Sequence, residues 1–331
     1  MGIFLSIIAI IVIGAVIWLS MQPANYEVVR RRVIKVKPEV VYANVAELKQ
    51  WSQWNPWIMH EPDTSLEYGE PTNAASGWYS WDGKFIGSGK MTITSMVENE
   101  SIEQALKFYK PMKSKSDVYW RFNAIGDTTE VTWGMRGKMP FLFRWMSKMM
   151  DQWVGKDYEI GLARLAAVSG DTEDAFEIEF PGTVEGQAED YIASHYVGPI
   201  DDMKAAMEEG FPKVAAAAVE HGMEISAQPF TLYHEFDMKN KKVICDIAVP
   251  VNNPKEVDGL ITGSLLAQKY MRTTLKGDYE HLELAWHSAF SHARMYKHKI
   301  QMGKPMVERY TTDPAESSGL DLVTSIDLPL K

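Results

Sequence analysis

Pro229-Phe230-Thr231-Leu232-Tyr233-His234-Glu235-Phe236-Asp237 returns in outline as Pro305-Met306-Val307-Glu308-Arg309-Tyr310-Thr311-Thr312-Asp313, with eight positions from proline to aspartate in both. Each run leads to a second strand-like stretch with a late proline: 243–251 with Pro250, and 322–330 with Pro329. Asp246 stands four positions before Pro250, and Ser325 four before Pro329. A helical pattern precedes each pair. Met203, Met207, Phe211, Val214 and Ala218 share one face up to Gly222, and Leu282, Trp286, Ala289, Phe290 and Ala293 share another after Gly277-Asp278-Tyr279. A helix-and-hairpin unit used twice predicts pseudo-twofold packing, with a groove where the halves meet and where a ligand can lodge.

Upstream the pattern changes. Met91, Ile93, Ser95 and Val97 alternate with polar neighbours, as do Val118, Trp120, Phe122 and Ala124, and then Val131, Trp133 and Met135. Such alternation predicts antiparallel strands with one buried face. Asp82-Gly83 and Gly126-Asp127 supply turn chemistry. From 141 to 168 the period becomes helical, through Leu142, Met146, Met149, Trp153, Ile160, Ala163 and Ala167, with Pro140 suited to the first turn. The fold class is therefore α+β, a sheet wrapped on one long C-terminal helix and followed by the repeat-built half. The polar stretch Ser169-Gly170-Asp171-Thr172-Glu173-Asp174 separates the two.

Composition narrows the function. The chain has 331 residues, 46% hydrophobic, 24% charged and 11% aromatic, enough for about two domains. Net charge is −10, from 34 basic and 44 acidic residues, which argues against coating nucleic acid. Residues 26–150 carry 17 basic and 14 acidic side chains, leaving 34 − 17 = 17 and 44 − 14 = 30 for 151–331, a net of +3 against −13. The single cysteine, Cys245, excludes an intrachain disulfide and any multi-cysteine zinc site.

The first 25 residues predict a membrane anchor. Residues 2–21 read GIFLSIIAIIVIGAVIWLSM, and no charged side chain precedes Glu27. About 20 apolar residues at 1.5 Å each cover the ~30 Å hydrocarbon layer. Trp18 falls where an indole favours the interface. A cleaved signal peptide is the rival, but a basic n-region is missing and Gln22-Pro23-Ala24 is a poor cleavage site. Arg30, Arg31, Arg32, Lys35 and Lys37 favour a cytoplasmic body by the positive-inside rule, unless they simply belong to the first strand.

The region 26–170 resembles the START-like (SRPBCC, polyketide-cyclase-type) superfamily. The resemblance rests on Pro38-Glu39-Val40-Val41-Tyr42, Trp51-Ser52-Gln53-Trp54-Asn55-Pro56-Trp57, Gly77-Trp78-Tyr79-Ser80-Trp81, the run 87–93 and the closing helix 155–165. It implies a helix-grip fold and a deep apolar cavity for hydrophobic ligands. Trp54, Trp57, Trp78, Trp81, Trp120 and Trp133 are the candidate lining residues, although any one of them can equally be core filling. His60, Glu61, Asp63 and Asp82 read as loop and turn charge, and no catalytic residue is assigned.

Residues 171–331 resemble the GyrI-like effector-binding family. The matching elements are Pro229-Phe230-Thr231-Leu232-Tyr233, Ile247-Ala248-Val249-Pro250-Val251, Gly277-Asp278-Tyr279 and the run from Pro305 to Pro314. The resemblance implies a βαβ-repeat fold binding small, often cationic and aromatic, molecules in a central cleft. The family's usual glutamate slot before the last proline holds Ser325 here, with Asp327 on the same strand face and Asp246 in the equivalent slot of the first repeat. Tyr233, Asp246, Trp286, Glu308, Tyr310 and Asp327 are the candidate ligand residues, an acid facing rings being suited to a cation. His281, His287, His292 and His298 spread over two helix faces and are not assigned a metal. No phosphate loop, nucleophile elbow or DNA-binding helix-turn-helix is seen, and no cofactor is expected. The leading expectation is a membrane-anchored receptor or carrier with two tandem pockets. A hydrolase or cyclase using Asp246, Glu308 and Tyr233 on a bound water is the alternative, and a regulator working through a protein partner is the third.

Overall fold

The computed structural model describes residues 2–237 and 240–331. Met1, inside the expected anchor range 1–25, and Met238 and Lys239, inside the expected second domain, lie outside the described residues. The chain divides into two compact units, Met1–Ala175 and Phe176–Lys331.

The first unit opens with helix α1 (Gly2–Met21). Its span from Phe4 to Met21 is long and apolar enough to cross a membrane, and none of it is buried against protein. Strand β1 (Asn25–Ile34) follows, then α2 (Pro38–Ala46), the single-turn α3 (Trp51–Trp54), β2 (Ser65–Gly69), β3 (Trp78–Asp82), β4 (Ser88–Val97), β5 (Ser101–Lys110), β6 (Ser114–Ile125) and β7 (Thr128–Lys138). The strands form one antiparallel sheet in the order β1-β7-β6-β5-β4-β3-β2. Helix α4 (Met150–Val168) packs on it, and the apolar core lies between sheet and helix.

Two local expectations change. Residues Phe141–Met149 form a 3₁₀ segment, so the long helix begins nine residues later than its apolar period predicts. Pro140, at the segment's start, makes no side-chain cap, and Phe141, Leu142, Phe143 and Trp145 remain exposed instead of packing on the core. In β4 a register shift between Ile93 and Ser95 inverts the alternation, which packs the partly buried Met96 against the core and leaves Val97 half exposed.

Three of the five basic residues after α1 are paired inside this unit. Arg30 bonds Glu159 and Asp151, each at 2.7 Å, Arg32 pairs with Asp174 at 3.2 Å, and Lys35 pairs with Glu173.

The second unit contains β8 (Glu177–Gly186), β9 (Glu189–Pro199), α5 (Met203–Glu220), β10 (Glu224–Ile225), β11 (Phe230–Asp237), β12 (Lys242–Asn252), β13 (Ile261–Leu265), β14 (Gln268–Lys276), α6 (Leu282–Met295), β15 (Met306–Tyr310) and β16 (Val323–Pro329). Its sheet runs β13-β9-β12-β11-β15-β16-β14-β8, with β10 on β12. Each helix is followed by an antiparallel pair, β11–β12 and β15–β16, and the two pairs meet at β11–β15.

The gap-free alignment of the two proline runs is out of phase with this sheet. Met306 lies opposite Tyr233, three residues from Phe230, so Phe230 and Met306 face opposite sides. That shift decides which acids meet which rings.

Candidate functional site

Facing residues on neighbouring antiparallel strands point to the same side. Thr231 lies opposite Glu308 and Tyr233 opposite Met306, so Thr231, Tyr233, Met306, Glu308 and Tyr310 share one face of the sheet. Leu232 opposite Val307 and Asp246, and Val307 opposite Asp327, put both aspartates on the other face. The carboxylate that meets the rings is thus Glu308, where the sequence had pointed to Asp246 and Asp327.

Glu308 is buried, at 1% exposure. The Tyr310 hydroxyl donates to Oε1 at 2.5 Å, the Trp286 indole N–H to Oε2 at 2.6 Å, and the Tyr233 hydroxyl to Oε1 at 3.4 Å. Burial pushes the Glu308 carboxyl above its ordinary range, and the three donors only partly offset this. Among the described residues no lysine or arginine is recorded in an ion pair with it.

Rings surround this carboxylate. Tyr233 stacks on Phe236 at 4.8 Å and meets Trp286 edge-on at 5.4 Å, while Phe236 lies 5.7 Å from Trp286. On the other flank Tyr310 meets Phe211 at 5.2 Å and Tyr279 at 5.6 Å. Trp286 and Phe236 are only partly buried, and Trp286 stacks on the exposed Phe290, so this side reaches solvent. Phe236, Tyr279 and Phe211 were not among the expected ligand residues. Phe236 is hidden by a bulge, because the register shift between Tyr233 and Glu235 returns it to the face of Tyr233. Strict alternation assigns it to the opposite side.

The two aspartates have other partners. Asp246 Oδ1 lies 2.7 Å from His195 Nδ1, and Oδ2 lies 2.6 Å from His234 Nε2. Burial alone raises the Asp246 carboxyl, but the bonds from His234 and His195 outweigh it and leave it below its ordinary range. The same bond raises the His234 imidazole, against the opposing effect of its partial burial. Asp327, 1% exposed, receives Arg272 through two contacts of 2.7 Å and has Arg309 Nε at 3.5 Å. Both acids are therefore engaged by side-chain partners on the face opposite Tyr233, Tyr310 and Trp286.

In the first unit Trp54, Trp120 and Trp133 come together at the core with Trp51. Trp120 stacks on Trp133 at 4.5 Å, Trp133 on Tyr158 of α4 at 3.8 Å, and Trp51 lies 4.7 Å from Trp54. Trp57 touches this group and donates to Asp157 at 3.0 Å, while Trp81 packs from the side against Tyr79 and Phe108. Trp78 does not join them. Alternation in β3 turns it to the outer face, where Lys90 Nζ sits 3.6 Å above its ring. At this cluster the indoles fill one another's space, which differs from an open lining. Two donors inside, Trp133 Nε1 and Gln104 Nε2, are buried with no protein partner. Among the described residues no group of three or more His, Cys, Asp or Glu side chains is arranged to hold a metal ion.

Residues 26–170 match the family described as polyketide cyclase / dehydrase and lipid transport. No curated protein matches the chain. Among solved structures, CalU16 from Micromonospora echinospora is 14% identical over 44% of this chain and 76% of its own, with a TM-score of 0.33. The EcmrR C-terminal domain is 17% identical over 47% of this chain and 98% of its own, with a TM-score of 0.40. SAV2435, solved bound to tetraphenylphosphonium, is 14% identical over 46% of this chain and 94% of its own, with a TM-score of 0.38.

Proposed function

We propose that this chain is a membrane-anchored small-molecule-binding protein, in a sensing or carrier role, whose second unit takes an aromatic or lipophilic cation. The observation that carries the reading is Glu308, a buried carboxylate ringed by Tyr233, Tyr310, Trp286 and Phe236, with rings and donors as its partners. A carboxylate held in low dielectric attracts a cation strongly, and ring faces add cation–π attraction while excluding small hydrated ions. The helix-and-hairpin repeat supports the site, since α5 contributes Phe211 and α6 contributes Trp286 to rings standing on β11 and β15.

In the first unit a second, apolar ligand would enter between the sheet and α4 at the edge of the stacked indoles, which themselves fill the centre of that layer. The unit's match to a lipid-transport family and the two unpartnered buried donors, Trp133 Nε1 and Gln104 Nε2, support that placement. Helix α1, exposed along its apolar length, is the anchor. Against the hydrolase or cyclase alternative stands the sheet itself: Asp246 and Glu308 lie on opposite faces and do not converge on one water.

The test is to titrate tetraphenylphosphonium into the full chain in non-ionic detergent, following tryptophan fluorescence, with Glu308→Gln in parallel. The substitution is expected to weaken binding by about tenfold or more, equivalent to ~1.4 kcal/mol. Equal affinity in the two chains would contradict the proposal.

A further inference from the structure

The 3₁₀ segment Phe141–Met149 has no role in either site, yet it shows Leu142 at 67% exposure, Trp145 at 43% and Phe141 and Phe143 at 37% each. Two basic side chains interrupt the apolar ones. Arg144 lies 5.2 Å from the centre of the Phe141 ring, and Lys148 is exposed. Apolar and aromatic groups interleaved with lysine and arginine are the composition of segments that lie flat in a membrane interface. Its position fits as well. The segment packs against α1, and the Met139 N–H just ahead of it donates to the Ala24 carbonyl just past α1, at 2.7 Å. Trp18, exposed near the same end of α1, belongs to the same level. The beginning of β1 and the end of β7 border an open groove of about 720 Å³ there, which carries Lys115, Arg136 and Lys138 together with Glu27 and Asp117.

We infer that Phe141–Met149 is a second membrane contact, lying in the headgroup region with Leu142 and Trp145 inserted beside the end of α1. The inference rests on reading α1 as an anchor, and the occupant is the bilayer surface continuous with it. A single span leaves a domain free to swivel, whereas a second contact close by fixes the domain's base on the bilayer. Arg144 and Lys148 meet the phosphates while the rings enter the acyl boundary.

The experiment places a nitroxide label on Cys introduced at Leu142, Ile10 or Leu320 of the full chain in phosphatidylcholine/phosphatidylglycerol nanodiscs, and reads depth by oxygen and nickel-chelate accessibility. These three positions are exposed, so labelling does not threaten folding, and the buried native Cys245, its thiol pushed up to about 12, does not compete. Leu142→Cys is expected about 5–10 Å below the phosphates, Ile10→Cys deep in the hydrocarbon, and Leu320→Cys in water. A deep Ile10 label with an aqueous Leu142 label overturns the inference and leaves the anchor standing. An aqueous Ile10 label removes the anchor and the inference together.

Discussion

At Glu308 burial pushes the carboxyl pKa up while Tyr310, Trp286 and Tyr233 hold it down, and burial prevails. The bare anion is therefore disfavoured, and a bound cation would stabilise the charged form. Glu308→Gln should preserve urea stability to within about 1 kcal/mol, because the amide oxygen can accept from Trp286 while the amide NH2 donates to the tyrosine hydroxyls, and cation binding should weaken by about tenfold or more. The sequence named Glu308, Tyr233, Trp286 and Tyr310, but it gave the ligand-facing charge to Asp246 and Asp327. Strand parity, set by pairing and by the bulge after Tyr233, was the missing information, and no periodicity within a single strand contains it. His292 supplies a separate test. It stacks on Phe180 at 4.0 Å and on Tyr296 at 4.2 Å, and burial, with nearby His298, lowers its pKa from 6.5 to about 4. Its folded pKa lies below its unfolded value, so the unfolded chain takes the proton first. Stability is full above about pH 6.5 and falls progressively toward pH 4, by up to ~3 kcal/mol. Urea midpoints measured between pH 7 and pH 4 should show that slope, and His292→Phe should flatten it.

Between helix α4 and the sheet, small residues determine how close the elements come. A Cβ at Gly161 would stand 2.6 Å from the Trp133 ring and 3.2 Å from Pro56 Cδ, and Trp133 cannot yield because it is stacked between Trp120 and Tyr158. Alanine improves intrinsic helix propensity by up to ~1 kcal/mol, yet overpacking costs ~1–3 kcal/mol, so the clash wins. Gly161→Ala should lower the thermal midpoint of the first unit, and an unchanged or higher midpoint would mean that Trp133 is not held. At this scale the sequence was most informative for regular strands: Val118, Trp120 and Phe122 are buried as their alternation implies. It misled where one residue changed the phase, at Thr94 in β4 and at His234 in β11, and where apolar residues at 141–149 read as core but stand exposed. The apolar period of that segment is real. What it faces is a matter of surroundings, and composition alone does not distinguish a protein core from a lipid surface.

For the chain as a whole, the proposed function assigns three parts to three surroundings: the apolar helix to lipid, the first unit to an apolar ligand, and the acidic, sheet-built unit to an organic cation. The second unit carries 24 acidic and 15 basic residues over 176–331, a net of −9, mostly diffuse surface charge of the sign that draws cations, and on the proposed reading Glu308, the buried carboxylate among the rings of Tyr233, Tyr310 and Trp286, selects among them. Shape and charge can be separated with tetraphenylphosphonium and tetraphenylborate, which are near-identical in size and opposite in sign. Titrated into the full chain under identical detergent conditions and read by tryptophan fluorescence, the cation should bind at least about tenfold more tightly than the anion. Binding of the anion as tightly as the cation would contradict the central claim, because a site governed by Glu308 cannot favour a negative guest.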